Sequence, residues 1–248
     1  EFKMNTGAQV DTYAVAGMRL VLFLVTFLSA SQAFAQCSIN AWSSFTGSPT
    51  AIGENDDPQG KKYEQSCGLT VDASTAPSFV TTDMPIDEST FSARFYLLAE
   101  ALEIASGPDD YVTILRARDN TTTEFELRLI STGSVIHLVA WYQDNGSLVK
   151  HPDVLELQNV WQAVEVMWSA GAGNGTFEIK IDDIPYISEV GLTNGSAVVD
   201  DVDFGIVDLT SATGDLVLDA IELRRAGTSG LLDISELGNI STRADVRT

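Results

Sequence analysis

The sequence predicts an all-β protein, an antiparallel sandwich or barrel. Beyond residue 66 apolar side chains recur at every second position: Phe125, Leu127 and Leu129 alternate with Glu124, Glu126 and Arg128, as in a half-buried strand. Turn-forming clusters separate such runs at regular intervals, namely Ser131-Thr132-Gly133-Ser134, Asp144-Asn145-Gly146, Gly173-Asn174-Gly175 and Asn194-Gly195. The runs do not alternate with long amphipathic helices, which argues against a βαβ fold. With 44% hydrophobic and 20% charged residues over 248 positions, the chain is globular and not disordered.

In chain order, the first recognisable segment is a targeting signal. Residues 20–28 are apolar, Met18 and Arg19 precede them, and Ala33-Phe34-Ala35 stands before Gln36. Basic, apolar and small-residue regions in that order make a secretory signal peptide. The apolar core is shorter than the ~20 residues of a bilayer span. The expected organisation is therefore residues 1–17 as upstream or cloning sequence, 18–35 as signal peptide, 36–226 as one β-sandwich domain and 227–248 as a linker or the truncated start of a following module. The expected location is secreted or at the cell surface. Cys37 and Cys67 are the two cysteines, and export to an oxidising compartment leads us to expect a disulfide between them. Closing a loop of about 30 residues in this way stabilises by roughly 3 kcal/mol.

Strands are expected next at 67–71, 91–98, 111–118, 135–142 and 160–168. Phe177, Ile179 and Ile181, alternating with Glu178, Lys180 and Asp182, give another, and 216–223 closes the set. Residues 97–104 carry helical spacing around Glu100 and Glu103, but the stretch is short and lies among strands.

Thirty-five Asp and Glu against 14 Lys and Arg give a formal charge of −21. Residues 1–35 hold as many acids as bases, so the excess belongs to the expected mature chain. Such a surface repels phosphate backbones and anionic bilayers. Neither nucleic acid nor, after signal cleavage, a membrane is an expected partner. It is compatible with calcium.

Several stretches resemble one family. Ser66-Cys67-Gly68-Leu69-Thr70-Val71, followed by Phe91-Ser92-Ala93-Arg94-Phe95-Tyr96, resembles bacterial exported domains with a concanavalin A-like, laminin-G-like jelly roll. Phe177-Glu178-Ile179-Lys180-Ile181-Asp182-Asp183 is similar to a late strand and turn of these domains. Gly214-Asp215-Leu216-Val217-Leu218-Asp219-Ala220-Ile221-Glu222-Leu223-Arg224-Arg225 looks like their closing strand. The tail Asn239-Ile240-Ser241-Thr242-Arg243 resembles a segment that opens a following module. The resemblance implies an antiparallel jelly-roll β-sandwich and a role in sugar recognition, adhesion or scaffolding, with glycoside hydrolysis in some members. Hydrolases of this fold set acids in a Glu-x-Asp-x-x-Glu pattern; the nearest approach, Asp233-Ile234-Ser235-Glu236, has Leu231 where the first Glu belongs. No Gly-x-Ser-x-Gly, Cys/His pairing or phosphate loop occurs. The expectation is a non-catalytic module that binds a polysaccharide or other glycan. The alternatives are a hydrolase or lyase with an atypical acid pair, or a structural spacer.

Trp141 and Tyr142, at the end of the 135–142 strand and on its opposite faces, are the candidate carbohydrate-binding residues, because a flat ring stacks on the apolar face of a sugar. Core packing is the alternative for Trp141. Asp219 shares its alternation with Val217, Ile221 and Leu223, and a carboxylate on such a face requires backbone donors or a cation. In modules resembling this one, an Asp on the last strand often helps hold a structural Ca²⁺, here with Glu54, Asp56 and Asp57 as further candidates. Asp200, Asp201 and Asp203 read as a solvated turn or a second calcium locus. Glu124 and Glu126 read as the solvated face of their strand, and His137 as a core residue. One of Trp161 and Trp168 should face inward. Five Asn-x-Ser/Thr triplets, at Asn120, Asn145, Asn174, Asn194 and Asn239, read as turns.

Overall fold

The structure is a computed structural model, and it describes residues 39–52, 62, 68–74, 76–83, 85–224 and 245–247. All belong to the unit Gln36–Thr248. The expected signal peptide, the cysteines Cys37 and Cys67, the acids Glu54, Asp56 and Asp57, and residues 225–244 lie outside the described residues.

Two sheets make an antiparallel jelly-roll β-sandwich. Sheet A runs in the order β1 (Ser44–Thr46), β4 (Ser78–Thr82), β15 (Asp201–Leu209), β7 (Val112–Asp119), β8 (Thr122–Thr132), β9 (Val135–Asp144) and β10 (Ser147–Lys150), with β11 (Leu155–Glu156) also on β9. Sheet B runs β14 (Ile184–Thr193), β13 (Ala172–Ile181), β12 (Gln162–Ser169), β5 (Thr90–Leu98), β16 (Ala212–Arg224), β3 (Gly68–Asp72) and β2 (Thr50–Ile52). The short strands β6 (Leu102–Ile104) and β17 (Asp245–Arg247) also pair with β16, β17 in parallel. The 97–104 stretch is thus the end of β5, a turn and β6, not a helix.

Strand alternation sets the inward faces. Phe125, Leu127 and Leu129 of β8 and Phe177, Ile179 and Ile181 of β13 all enter one buried cluster. Phe125 is its junction: its ring centroid lies 6.0 Å from Phe91, 6.2 Å from Trp168 and 5.7 Å from Phe177, three residues of sheet B. Tilted rings at these separations are favourable beyond their buried area. Trp168 is the inward tryptophan; Trp161 packs on Tyr96, Ala163 and Ala220 on the other side of sheet B.

Tight turns close the hairpins. Asn145 (φ 50°) and Gly146 (φ 73°) link β9 to β10, and Asp182 (φ 49°) and Asp183 (φ 65°) link β13 to β14, the left-handed pairs that suit the twist of two strands. The Gly173-Asn174-Gly175 cluster does not form the expected separate turn. It lies within β13, where the register against β14 shifts.

Bulges redirect side chains in several strands. Between the pairs Ala117↔Phe125 and Arg118↔Thr123, β8 carries one extra residue, Glu124. In β15 the register shifts between Phe204 and Asp208. Gly205 sits there at φ 125°, and a Cβ on it would stand 2.8 Å from the Ser78 carbonyl oxygen, so β4 and β15 approach closely only because it is glycine. In β16 the register shifts between Asp219 and Glu222, around Ala220 at φ 49°.

Replacing Phe125 with Ala removes the ring that both sheets share. We expect a loss of about 3–5 kcal/mol, read from the urea midpoint at unchanged slope; a loss below about 1 kcal/mol would contradict its central place.

Candidate functional site

The outward face of sheet A carries a connected row of charged and aromatic side chains. One register row crosses the whole sheet: Ser44, Thr81, Asp203, Arg116, Glu126, Trp141 and Lys150 stand opposite one another on successive strands. Neighbouring strands are about 4.8 Å apart, so these side chains touch their neighbours sideways. Each belongs to this face because its neighbours along the strand, such as Val202, Phe204, Leu115, Phe125, Leu127, Ala140 and Tyr142, are in the core.

The charges interlock. Arg116 Nε donates to Glu126 Oε2 at 3.0 Å, and Arg128 binds Glu126 Oε1 from the other side. Arg116 also reaches Asp208 Oδ2 at 3.6 Å, and Arg118 reaches Asp203 Oδ1 at 3.2 Å. The Thr81 hydroxyl donates to the same Asp203 oxygen at 2.8 Å. Burial pushes the Asp203 carboxyl up, while Thr81, Arg118 and Arg116 pull it down. Glu124 has no such help. It is buried, one oxygen has no hydrogen-bond partner, and desolvation with the nearby Asp119 charge pushes its carboxyl up to about 7.

Beside this lattice lies a cleft of about 210 Å³. Its lining includes Tyr111, Arg128, Trp141 and Lys150, with Asp109 and Asp110 at the edge. The Arg128 guanidinium carbon stands 4.3 Å from the Tyr111 ring centroid and 4.6 Å from that of Trp141, so one cation orders both rings. The Tyr111 hydroxyl donates to Asp208 at 3.0 Å, and burial, then this bond, raise its pKa. The larger cavity of about 380 Å³, lined by Glu100, Glu103, Ser131 and Asn159 among others, has no aromatic side chain in its wall.

The structure separates the two candidate ring residues. Trp141 is half-buried on the outward face and lines the cleft. Tyr142 points into the core, 5.1 Å from Phe177, and does not reach the cleft. Glu124 and Glu126 are not a solvated face, since both are buried, Glu126 under two arginines. Asp203 is no solvated turn residue; it is buried on β15. His137 lies outside the core, half-buried opposite Ile130. Arg116, Arg128, Tyr111 and Lys150 escaped the sequence reading because their association is made by register between strands.

Asp219 does not share a face with Ile221 and Leu223. The bulge at Ala220 changes the alternation, and Asp219 pairs with Tyr96 while Leu218, Ile221 and Leu223 enter the core. Its carboxylate accepts the Lys62 and Ala220 amides, each at 2.6 Å. These N–H donors satisfy a buried carboxylate; the further calcium candidates Glu54, Asp56 and Asp57 lie outside the described residues. Among the described residues no three His, Cys, Asp or Glu side chains are grouped to hold a metal ion.

No family model matches the chain, and no curated protein matches it in sequence. Among solved structures it is similar to alginate lyase AlyC3 in complex with dimannuronate, at 12% identity and TM-score 0.45 over 63% of this chain and 73% of that one. It is similar to alginate lyase Aly36B at 11% identity and TM-score 0.44, over 70% and 95%. It is also similar to the binding domain of botulinum neurotoxin DC in complex with rat synaptotagmin II, at 13% identity and TM-score 0.44, over 77% and 45%. Likeness at this level concerns the sandwich and assigns no site.

Replacing Glu124 with Gln tests the buried acid. A folded-state pKa of about 7 against the usual 4.5 means that folding favours the protonated form. Wild type therefore loses stability as pH rises from about 4.5 to about 7, and the variant does not lose this share. Thermal midpoints should nearly coincide near pH 4. Near pH 8 the variant should melt several degrees higher, at about 2–4 °C per kcal/mol for a domain of this size. Equal midpoints across that range would show that Glu124 ionises freely in the fold.

Proposed function

We propose that this chain is an exported, non-catalytic carbohydrate-binding module, secreted or held at the cell surface, that takes a glycan on the outward face of sheet A. The observation that carries this reading is the Tyr111–Arg128–Trp141 stack in the wall of an open cleft. Two ordered rings offer flat apolar surfaces to a sugar, and ordering them in advance lowers the entropy cost of binding. Lys150, Asp109 and Asp110 at the same cleft supply a donor and acceptors for hydroxyl groups.

One observation favours a second reading, a glycoside hydrolase or polysaccharide lyase. Glu124 is a carboxyl held up to about 7, on the strand that also carries Glu126 and Arg128, and a group so tuned suits general acid–base chemistry near neutral pH.

A glycan array with and without Ca²⁺ tests the first reading. Trp141→Ala is expected to weaken the strongest signal at least about tenfold, the effect of roughly 1.4 kcal/mol, with a little-changed thermal midpoint. No binding to any glycan in either condition would leave only a structural spacer. Release of reducing ends or unsaturated products, lost in Glu124→Gln, would establish the enzyme instead.

A further inference from the structure

The ion pairs of sheet A are layered. The side chains of Glu126 and Asp203 retain 1% and 3% of their accessible surface, while those of Arg116, Arg118 and Arg128 retain 23%, 30% and 20%. The carboxylates thus form a sealed lower layer and the guanidinium groups an open upper one. Asp208, at 42%, is the exception; it is held by Arg116 and by the Tyr111 hydroxyl. Lys150, exposed at the end of the same row, makes no ion pair among the described residues. A planar guanidinium whose inner edge is fixed by a carboxylate keeps its remaining donors aimed outward, in the fork geometry that matches carboxylate and sulfate oxygens.

We propose that this face selects an anionic polysaccharide, carboxylated or sulfated, over a neutral one. Arg116, Arg118, Arg128 and Lys150 take the acid groups, while Tyr111 and Trp141 take the sugar rings. The proposal rests on the carbohydrate reading above and names the class of glycan.

The overall charge of −21 opposes such a ligand, so ranges decide the outcome. At physiological ionic strength the screening length is about 8 Å. Acids away from this face are screened over that length; Asp109 and Asp110 in the cleft wall and Asp208 beside Arg116 oppose an anion at close range, and the four cations must outweigh them there. Low salt extends the repulsion to about 30 Å, so binding should be measured near physiological salt.

The test uses the full chain, with affinity measured for polygalacturonate, its methyl-esterified form, dextran sulfate and dextran. We expect at least tenfold tighter binding to a charged member than to its neutral counterpart, in one pair or both; the pair that responds distinguishes carboxylate from sulfate recognition. Lys150→Glu, at an exposed position with no ion pair to break, is expected to weaken the charged ligand at least tenfold while the thermal midpoint holds. Equal or tighter binding of the neutral forms overturns the proposal and leaves the carbohydrate reading standing. Binding of the charged ligand unaltered in Lys150→Glu also overturns it. Failure to bind these four, together with a blank glycan array, removes the carbohydrate reading itself.

Discussion

The packing of Phe125 between the two sheets is the constraint on which the rest depends. Its ring touches β5, β12 and β13 from its place on β8. Once that side chain is committed inward, strand geometry leaves its neighbour Glu126 no choice but the opposite face. The hydrophobic effect that holds the sandwich together therefore also sets the orientation of Glu126 and of Arg128. Site and core are two faces of one strand.

Burying carboxylates on an outward sheet face is expensive unless each is paired, and the pairing here is uneven. Glu126 has a guanidinium on either side, and Asp203 has a guanidinium and a hydroxyl. Glu124, the residue inserted by a bulge, has neither. The one extra residue in β8 thus leaves Glu124 buried beside Asp119 without a guanidinium, and desolvation pushes its carboxyl up to about 7.

Much of the fold was legible because β8 over residues 125–129 and β13 over residues 177–181 alternate with a period of two, and β8 and β9 end in turns that Gly133 and Asn145-Gly146 announce. Strands β14 and β15 were not. In β14, exposed Ile184, Tyr186 and Val190 blur the contrast between faces, and Pro185 argues against a strand. In β15 an irregularity interrupts the alternation just after the acids that looked like a turn. Asp219 was misplaced for a related reason: its bulge is formed at an alanine, which gives no warning of a positive φ. At the candidate site, Trp141 was readable as a ring near a strand end. Its stacking on Arg128, and the burial of Glu126 between two arginines, were not. Arg128 is only two residues from Glu126 on β8, but Arg116 and Trp141 lie on the flanking strands β7 and β9, and only strand register brings them to these partners.

The place of β16 has a consequence for how the chain assembles. It is an inner strand of sheet B, lying between β5 and β3, yet it follows nearly all the other strands in sequence; Leu218 pairs with Leu97 and Leu69. Long-range pairings of this kind are slow to form because a large loop must close first. During synthesis β5 and β3 must wait with their facing edges unpaired until β16 emerges. Sheet B cannot be completed until β16 is available to join β5 to β3.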